Sequence, residues 1–362
     1  MVETATRKSA APATAPTPST DDLPAGAAPA PASPLRRWLS LGVRVVVIVA
    51  IAAGMTWSVV DQWPQVRSTW LGLAWQSVAL SVLAALLGMV ANTMAWRAAV
   101  ADLGHRVSVA AALRICLVGQ LGKYIPGSVW AYVLQIELSR RAGLPRARAF
   151  LATLVSVGLG VTAALGLGLL SLPALRDAAA GDETSYADSV RVALWIVAAL
   201  FPVALVCALP RVLTALVQLT LKVLRRPPLE HRLTWPGVLR VVGWSALGYG
   251  LFGVHLWLLA NAQAAPGLDG LLRSVGSFAI AMTVGMFAFL SPSGLGVREA
   301  VLVAALAPFL AGSGGVGAAM GIALASRLIF TIADVIAAGL AALSGVRQLR
   351  REGGAEVAPA TE

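Results

Sequence analysis

Seven ionisable side chains lie inside the two broken apolar runs and the last apolar span of this chain, where a charge is costly and therefore points to function. Arg327 and Asp334 are seven residues apart, about two helical turns, and so share one side of a helix; the pattern leaves open whether they serve function or pair with neighbouring helices. Arg114 and Glu137 are expected to extend their long side chains to the cytoplasmic membrane surface, so we interpret them as structural, and Arg44 in the first apolar run is the same case. The seven are Arg114, Lys123, Glu137, Arg298, Glu299, Arg327 and Asp334.

Two of the apolar runs are interrupted near the middle by proline and glycine. Lys123 precedes the first break, Tyr124-Ile125-Pro126-Gly127-Ser128, and Arg298 with Glu299 follows the second, Leu290-Ser291-Pro292-Ser293-Gly294-Leu295-Gly296. Proline removes a helical hydrogen bond and clashes with the preceding turn, so each break is predicted to split a helix into two arms.

The breaks also predict an anion site. Ser128 and Ser293 stand where helix N-caps belong, so two half-helices are expected to begin inside the membrane with their positive dipole ends turned inward. With Lys123 and Arg298 nearby, phosphate is the ligand that this arrangement favours. The predicted substrate-binding residues are Lys123, Pro126, Gly127, Ser128, Ser293, Gly294, Arg298, Glu299, Arg327 and Asp334.

Other kinds of site have no support in the sequence. Cys116 and Cys207 lie far apart in apolar runs, and the three histidines have no suitably spaced partner, so neither a disulfide nor a metal site is predicted. His255 and Asn92 are interpreted as packing residues. No nucleotide-binding loop is present. We expect no cofactor, no metal and no enzymatic activity.

The composition excludes a soluble protein. Of 362 residues, 58% are hydrophobic and 12% charged, and the mean hydropathy is +0.78, whereas a soluble domain carries roughly 25% charged residues. The net charge of +11 needs no nucleic-acid partner, because such a partner requires a solvated basic surface.

The elements that must position these residues are membrane helices. We predict an all-α polytopic membrane protein with about six full spans at 41–60, 75–96, 149–172, 190–210, 237–260 and 316–345, and two broken helical hairpins at 108–139 and 273–311. If each hairpin spans fully, the crossings number ten. Residues 1–34 are predicted to be a disordered tail, 35–345 the membrane domain and 346–362 a second tail.

The basic residues orient these elements. Nineteen of the 28 fall on the side of the N-terminal tail, which predicts both termini in the cytoplasm of a plasma-membrane protein. The two hairpins then enter from opposite faces, and residues 75–172 and 237–345 form an inverted-topology repeat of the kind found in transporters. The connector 211–226 is amphipathic and is expected to lie on the inner leaflet.

The two breaks resemble known signature loops. The stretches Gly119-Gln120-Leu121-Gly122-Lys123-Tyr124-Ile125-Pro126-Gly127-Ser128-Val129-Trp130 and Ser291-Pro292-Ser293-Gly294-Leu295-Gly296-Val297-Arg298-Glu299-Ala300 are similar to those of the flippase-like family named for the transmembrane region of lysylphosphatidylglycerol synthase. The similarity runs from about 40 to 345. It implies a bundle that moves a lipid, such as an aminoacylated phospholipid or a glycolipid, between leaflets, with Arg298, Glu299 and Arg327 at family motif positions.

The chain departs from that family in two places. Many relatives continue the first loop with an arginine and a Gly-Glu pair, whereas here Ser128-Val129-Trp130-Ala131 follows. The synthase proper also has a soluble aminoacyl-transferase domain after its membrane part. Because this sequence ends at Glu362 with a short polar tail, we do not expect synthesis activity.

These observations lead to one hypothesis and two alternatives. We expect a lipid flippase in which Lys123, Arg298 and the half-helix ends hold an anionic or phosphate-bearing headgroup. In it Glu299 positions Arg298 or exchanges a proton, Arg327 and Asp334 form a charge relay, and one repeat rocks against the other. The alternatives are a membrane-embedded lipid-carrier transferase and a non-transporting scaffold for a partner enzyme. Whether the protein binds a lipid-modifying partner enzyme or forms a homo-oligomer stays open, and no nucleic-acid partner is expected.

Overall fold

The described part of the computed structural model is helical and has no strands. It comprises residues 57, 60–124, 129–170, 185–229, 232–264, 267–287, 296–308 and 310–355, which belong to one unit spanning 46–362. Within it the α-helices are α1 (Trp63–Leu71), α2 (Trp75–Asp102), α3 (Val109–Leu113), α4 (Trp130–Arg141), α5 (Arg146–Leu170), α6 (Ser185–Ala208), α7 (Pro210–Val223), α8 (Trp235–Ala264), α9 (Gly267–Phe287), α10 (Val297–Leu306) and α11 (Gly315–Ala355).

Four helices of the described chain are long and apolar enough to cross a membrane: Trp75–Asp102, Arg146–Leu169, Trp235–Ala260 and Gly315–Ser344. They coincide with four of the six predicted spans. The predicted span at 190–210 falls in α6, which meets α7 at a bend of 78°, and counting this bent pair gives five. The predicted span at 41–60 lies almost wholly outside the described residues, so the count of six and the inverted repeat stay predictions.

Helices α2 and α8 pack closely through glycine. A side chain at Gly88 of α2 would overlap the ring of Phe252, and one at Gly248 of α8 would overlap Asn92. Asp102, the last residue of α2, also fixes the start of α8, because its carboxylate accepts hydrogen bonds from the backbone N–H (3.1 Å) and hydroxyl (2.7 Å) of Thr234. The first helices of the two predicted repeats are therefore joined along one interface.

The first broken run folds back on itself. After α3 come a π-helix (Arg114–Val118) and a 3-10 turn (Leu121–Tyr124), and α4 begins beyond residues 125–128, which are not described. A Cβ at Gly122 would lie 2.7 Å from Cα of Ala131, and one at Gly119 would lie 3.1 Å from Cβ of Gln135. The two arms are thus in close contact on either side of the break, as expected of a hairpin.

The second broken run consists of α9 and α10, which pack together across a break at 288–295 that is outside the described residues. The predicted serine caps are wrong: the N-cap of α4 is Val129, and that of α10 is Gly296 at φ +84°. Glycine adopts this backbone conformation without the steric cost that serine would incur. Ser128 and Ser293 themselves lie outside the described residues.

Helix α7 has two separate apolar faces beside its charged face, whereas the sequence predicted one apolar and one charged face. Its exposed apolar side chains include Leu219 and Val223. Another apolar stripe, expected to face the lipid, is instead buried in a core formed with α2 and α5; this stripe consists of Leu213, Val217 and Leu221. The periodicity detects an apolar face but cannot distinguish a protein partner from a lipid one, since both are apolar.

Candidate functional site

Glu299 ties the start of α10 to α11. Its Oε2 accepts a hydrogen bond from the backbone N–H of Gly296 at 2.8 Å, and its Oε1 accepts one from Nη1 of Arg327 at 2.6 Å. The Glu299 side chain is 7% exposed. A carboxylate in the first turn of a helix is favoured by the helix dipole. Each oxygen of Glu299 thus has a partner other than Arg298, and the predicted role of positioning Arg298 or exchanging a proton stays a prediction.

Lys123 ties the first hairpin to the same helix. At the end of the 3-10 turn its Nζ forms an ion pair with Oδ2 of Asp334 at 2.5 Å, and the hydroxyl of Tyr124 donates to the same oxygen at 2.7 Å. The Asp334 side chain is 3% exposed. Asp334, two turns beyond Arg327 on α11, is thus held by the arm that leads into the first break.

Helix α11 is consequently the common partner of both broken hairpins. The seven-residue spacing of Arg327 and Asp334 predicted that they lie on one side of α11, and each forms an ion pair with a residue of a different hairpin. The predicted charge relay stays a prediction. The two ion pairs meet α11 seven residues apart, about 10 Å along the helix. We call these five residues, Lys123, Arg298, Glu299, Arg327 and Asp334, the polar cluster.

Arg298 is the most buried cation of the polar cluster. It is 8% exposed, its Nη2 donates to Oγ of Ser326 at 3.1 Å, and its Nε is buried with no hydrogen-bond partner in the described part of the chain. The guanidinium carbon lies 4.9 Å from the ring centroid of Phe278 and 4.7 Å from that of Phe330. A desolvated cation–π contact contributes about 2 kcal/mol. Within the described chain no carboxylate forms an ion pair with Arg298.

Three cations and two carboxylates leave the polar cluster with one formal positive charge, 3 − 2 = +1. Two of the cations are paired with carboxylates of the polar cluster, and Arg298 supplies the excess. Arg298 keeps an unused N–H donor in an apolar surrounding. The arrangement can bind an anionic oxygen, such as that of a phosphate group.

Sequence reasoning missed the residues that hold Arg298. His255 was interpreted as a packing residue, and it is indeed fully buried and hydrogen-bonded, with Ser81 through Nδ1 and with Ser326 through Nε2. Ser326 in turn contacts Arg298. Buried serines and phenylalanines on apolar helices have no distinguishing pattern; the histidine was the signal available in the sequence.

The remaining candidate residues either have contacts away from the polar cluster or lie outside the described residues. Glu137 forms ion pairs with Arg140 at 2.7 Å and Arg146 at 3.1 Å, at the end of α4, which agrees with its interpretation as structural. Asn92 donates to the backbone carbonyl of Gly88 at 3.2 Å. Outside the described residues lie Pro126, Gly127, Ser128, Ser293 and Gly294.

A comparison with protein families shows to which family the chain belongs. The family model described as the lysylphosphatidylglycerol synthase TM region matches residues 43–338. The chain belongs to this family. The matched region contains the whole polar cluster and both breaks, so the resemblance inferred from the two loops is confirmed. A search of curated proteins found no match. Family and helices together make this a multi-pass membrane protein related to lipid handling.

Proposed function

We propose that the protein is a lipid flippase of the plasma membrane. It moves a phospholipid or glycolipid between leaflets without changing it chemically, and it binds the anionic headgroup at the polar cluster. The observation that carries this proposal is the meeting of two broken hairpins, through buried ion pairs, on one membrane helix. Ionisable groups and interrupted helices at membrane depth are features of substrate pathways.

Arg298 and Lys123 are the proposed contacts of the headgroup. Arg298 offers an N–H that has no partner among the described residues, and Lys123 stands at the edge of the first break with its side chain 28% exposed. A phosphate bound at Lys123 competes with Asp334 for the same ammonium group, whereas Asp334 keeps the hydroxyl of Tyr124. Binding therefore loosens the contact between the first hairpin and α11, which supports movement of one repeat against the other.

The test is lipid movement in reconstituted vesicles. The protein is placed in phosphatidylcholine vesicles containing NBD-labelled phosphatidylglycerol, and dithionite is added outside, which destroys the label only in the outer leaflet. Wild-type protein should expose the inner label to dithionite. Arg298→Ala and Glu299→Gln should slow this phase at least tenfold, because the first removes the anion donor and the second weakens the contact that fixes the start of α10.

Thr153→Val is the matched control. Thr153 lies on α5, where its hydroxyl accepts a buried hydrogen bond from Nε1 of Trp96 at 3.1 Å, and it has no contact with the polar cluster. This variant should move the lipid at the wild-type rate. Wild-type rates for correctly inserted Arg298→Ala and Glu299→Gln would show that the polar cluster is not the site. Independently of these variants, a comparison of the outer-leaflet lipids of a deletion strain and its parent identifies the natural cargo.

A further inference from the structure

A chain of four buried polar side chains leads from α2 to Arg298. Oγ of Ser81 lies 2.6 Å from Nδ1 of His255, Nε2 of His255 lies 2.9 Å from Oγ of Ser326, and Ser326 lies 3.1 Å from Nη2 of Arg298. Ser81, His255 and Ser326 are each fully buried. The contacts join α2, α8, α11 and α10 in that order.

We assign the hydrogen-bond directions in this chain from the tautomer of His255. The backbone carbonyl oxygen of Ser81, which can only accept, lies 3.3 Å from Nδ1 of His255, which favours the tautomer with its proton on Nδ1. The hydroxyl of Ser81 donates its one proton to the backbone carbonyl of His255 at 3.0 Å, so its oxygen accepts from Nδ1–H of the imidazole. Nε2 then carries the lone pair and accepts from the hydroxyl of Ser326. The oxygen of Ser326, with its proton directed at His255, is left to accept from Arg298.

The same two phenylalanines, Phe278 and Phe330, pack against both His255 and Arg298. The Phe278 and Phe330 rings are stacked with centroids 5.4 Å apart, and the imidazole of His255 meets the Phe330 ring edge-on at 5.1 Å. Arg298 lies over both phenylalanine rings. The rings fix the depth of the guanidinium, and the oxygen of Ser326 fixes its rotation. Without the acceptor on His255, the Ser326 hydroxyl would be free to turn its proton toward Arg298.

We propose that His255 is a positioning residue for the headgroup site: it orients Ser326, which holds Nη2 of Arg298 and leaves Nε for an oxygen of the headgroup phosphate. The inference rests on the proposed function. It assigns to His255 an effect on lipid affinity rather than on the capacity of the protein to move a bound lipid, since His255 does not itself contact the ligand.

The test compares His255→Phe with His255→Gln in the vesicle assay, at increasing mole fractions of NBD-labelled phosphatidylglycerol. Phenylalanine keeps the ring volume but removes the acceptor, and should raise the half-saturating mole fraction about tenfold, the effect of losing about one hydrogen bond to a charged group. The maximal rate should change less than twofold. Glutamine places an amide oxygen near the position of Nε2 and should recover most of the affinity.

Ser326→Ala gives a second route to the same result if His255→Phe is poorly folded, because it removes the acceptor directly and should raise half-saturation to a similar degree. Thr153→Val should leave half-saturation unchanged. Equal half-saturation for His255→Phe, Ser326→Ala and wild type would overturn the positioning role, and so would a fall in maximal rate alone. Loss of transport in Arg298→Ala with unchanged half-saturation in His255→Phe rejects only this inference. Unchanged transport in Arg298→Ala rejects the proposed headgroup site as well, and the absence of lipid movement by wild-type protein rejects the proposed flippase function.

Discussion

At the scale of single residues, the cost of burying charge predicted the members of the polar cluster but not its pairing. All five of its residues were selected from the sequence, because a charge at membrane depth is costly and therefore points to function. They are Lys123, Arg298, Glu299, Arg327 and Asp334. Which carboxylate meets which cation depends on how separate helices pack, and spacing along one helix holds no such information.

The buried pair Lys123–Asp334 makes a prediction about stability. Asp334→Leu should destabilise the protein by about 3–5 kcal/mol, because it leaves the cation of Lys123 without its carboxylate in an apolar surrounding. The double variant Lys123→Met with Asp334→Leu should be markedly more stable than Asp334→Leu, since no charge is then uncompensated. Thermal unfolding in detergent measures both. If the double variant is the less stable of the two, the pair is not an isolated electrostatic unit.

At the scale of elements, proline and glycine placed both breaks correctly, and apolar run length placed four spans. The start of α10 was misplaced because Gly296 is the cap, not the serine three residues earlier. Serine is a common cap because its side chain accepts from the N–H groups of the first turn. Here Glu299 accepts from the N–H of the cap residue Gly296 itself, which is the half of a capping box that the third helical residue supplies. The rule based on side chains missed a cap whose backbone conformation, at φ +84°, favours glycine.

Two glycines of α8 provide a matched test of helix packing. A Cβ at Gly253 would overlap the backbone of Val275 on α9, whereas one at Gly250 would meet nothing within 4 Å. Gly253→Ala should therefore destabilise the protein by about 1–3 kcal/mol, because α8 and α9 must separate. Gly250→Ala should be neutral or stabilising by up to about 1 kcal/mol through its better helix propensity.

Thermal unfolding of the two glycine variants in one detergent gives the comparison directly. Because Gly253 lies two residues from His255, Gly253→Ala should also raise the half-saturating lipid concentration, while Gly250→Ala should not. Equal unfolding temperatures for the two variants would show that α8 and α9 are not in the close contact described.

At the scale of the whole molecule, the positive charge predicts the orientation, and the orientation predicts the inverted repeat. The hairpin containing Lys123 should begin and end in the cytoplasm, and the hairpin containing Arg298 should begin and end outside. Helices α2 and α8, the first helices of the two proposed repeats, are locked together by glycine contacts. In the proposed flippase this interface would be the axis about which one repeat rocks against the other.

Cysteine labelling tests the opposite entry of the hairpins. Ala142→Cys follows α4, and Gly312→Cys lies in the 3-10 turn (Ala311–Ser313) after α10; both positions are exposed. In a background where Cys116 and Cys207 are replaced by serine, a membrane-impermeant maleimide added to intact cells should label Gly312→Cys alone. After the membrane is permeabilised, Ala142→Cys should be labelled too. Labelling of both positions in intact cells, or of neither, would place the two hairpins on the same side and exclude the inverted repeat.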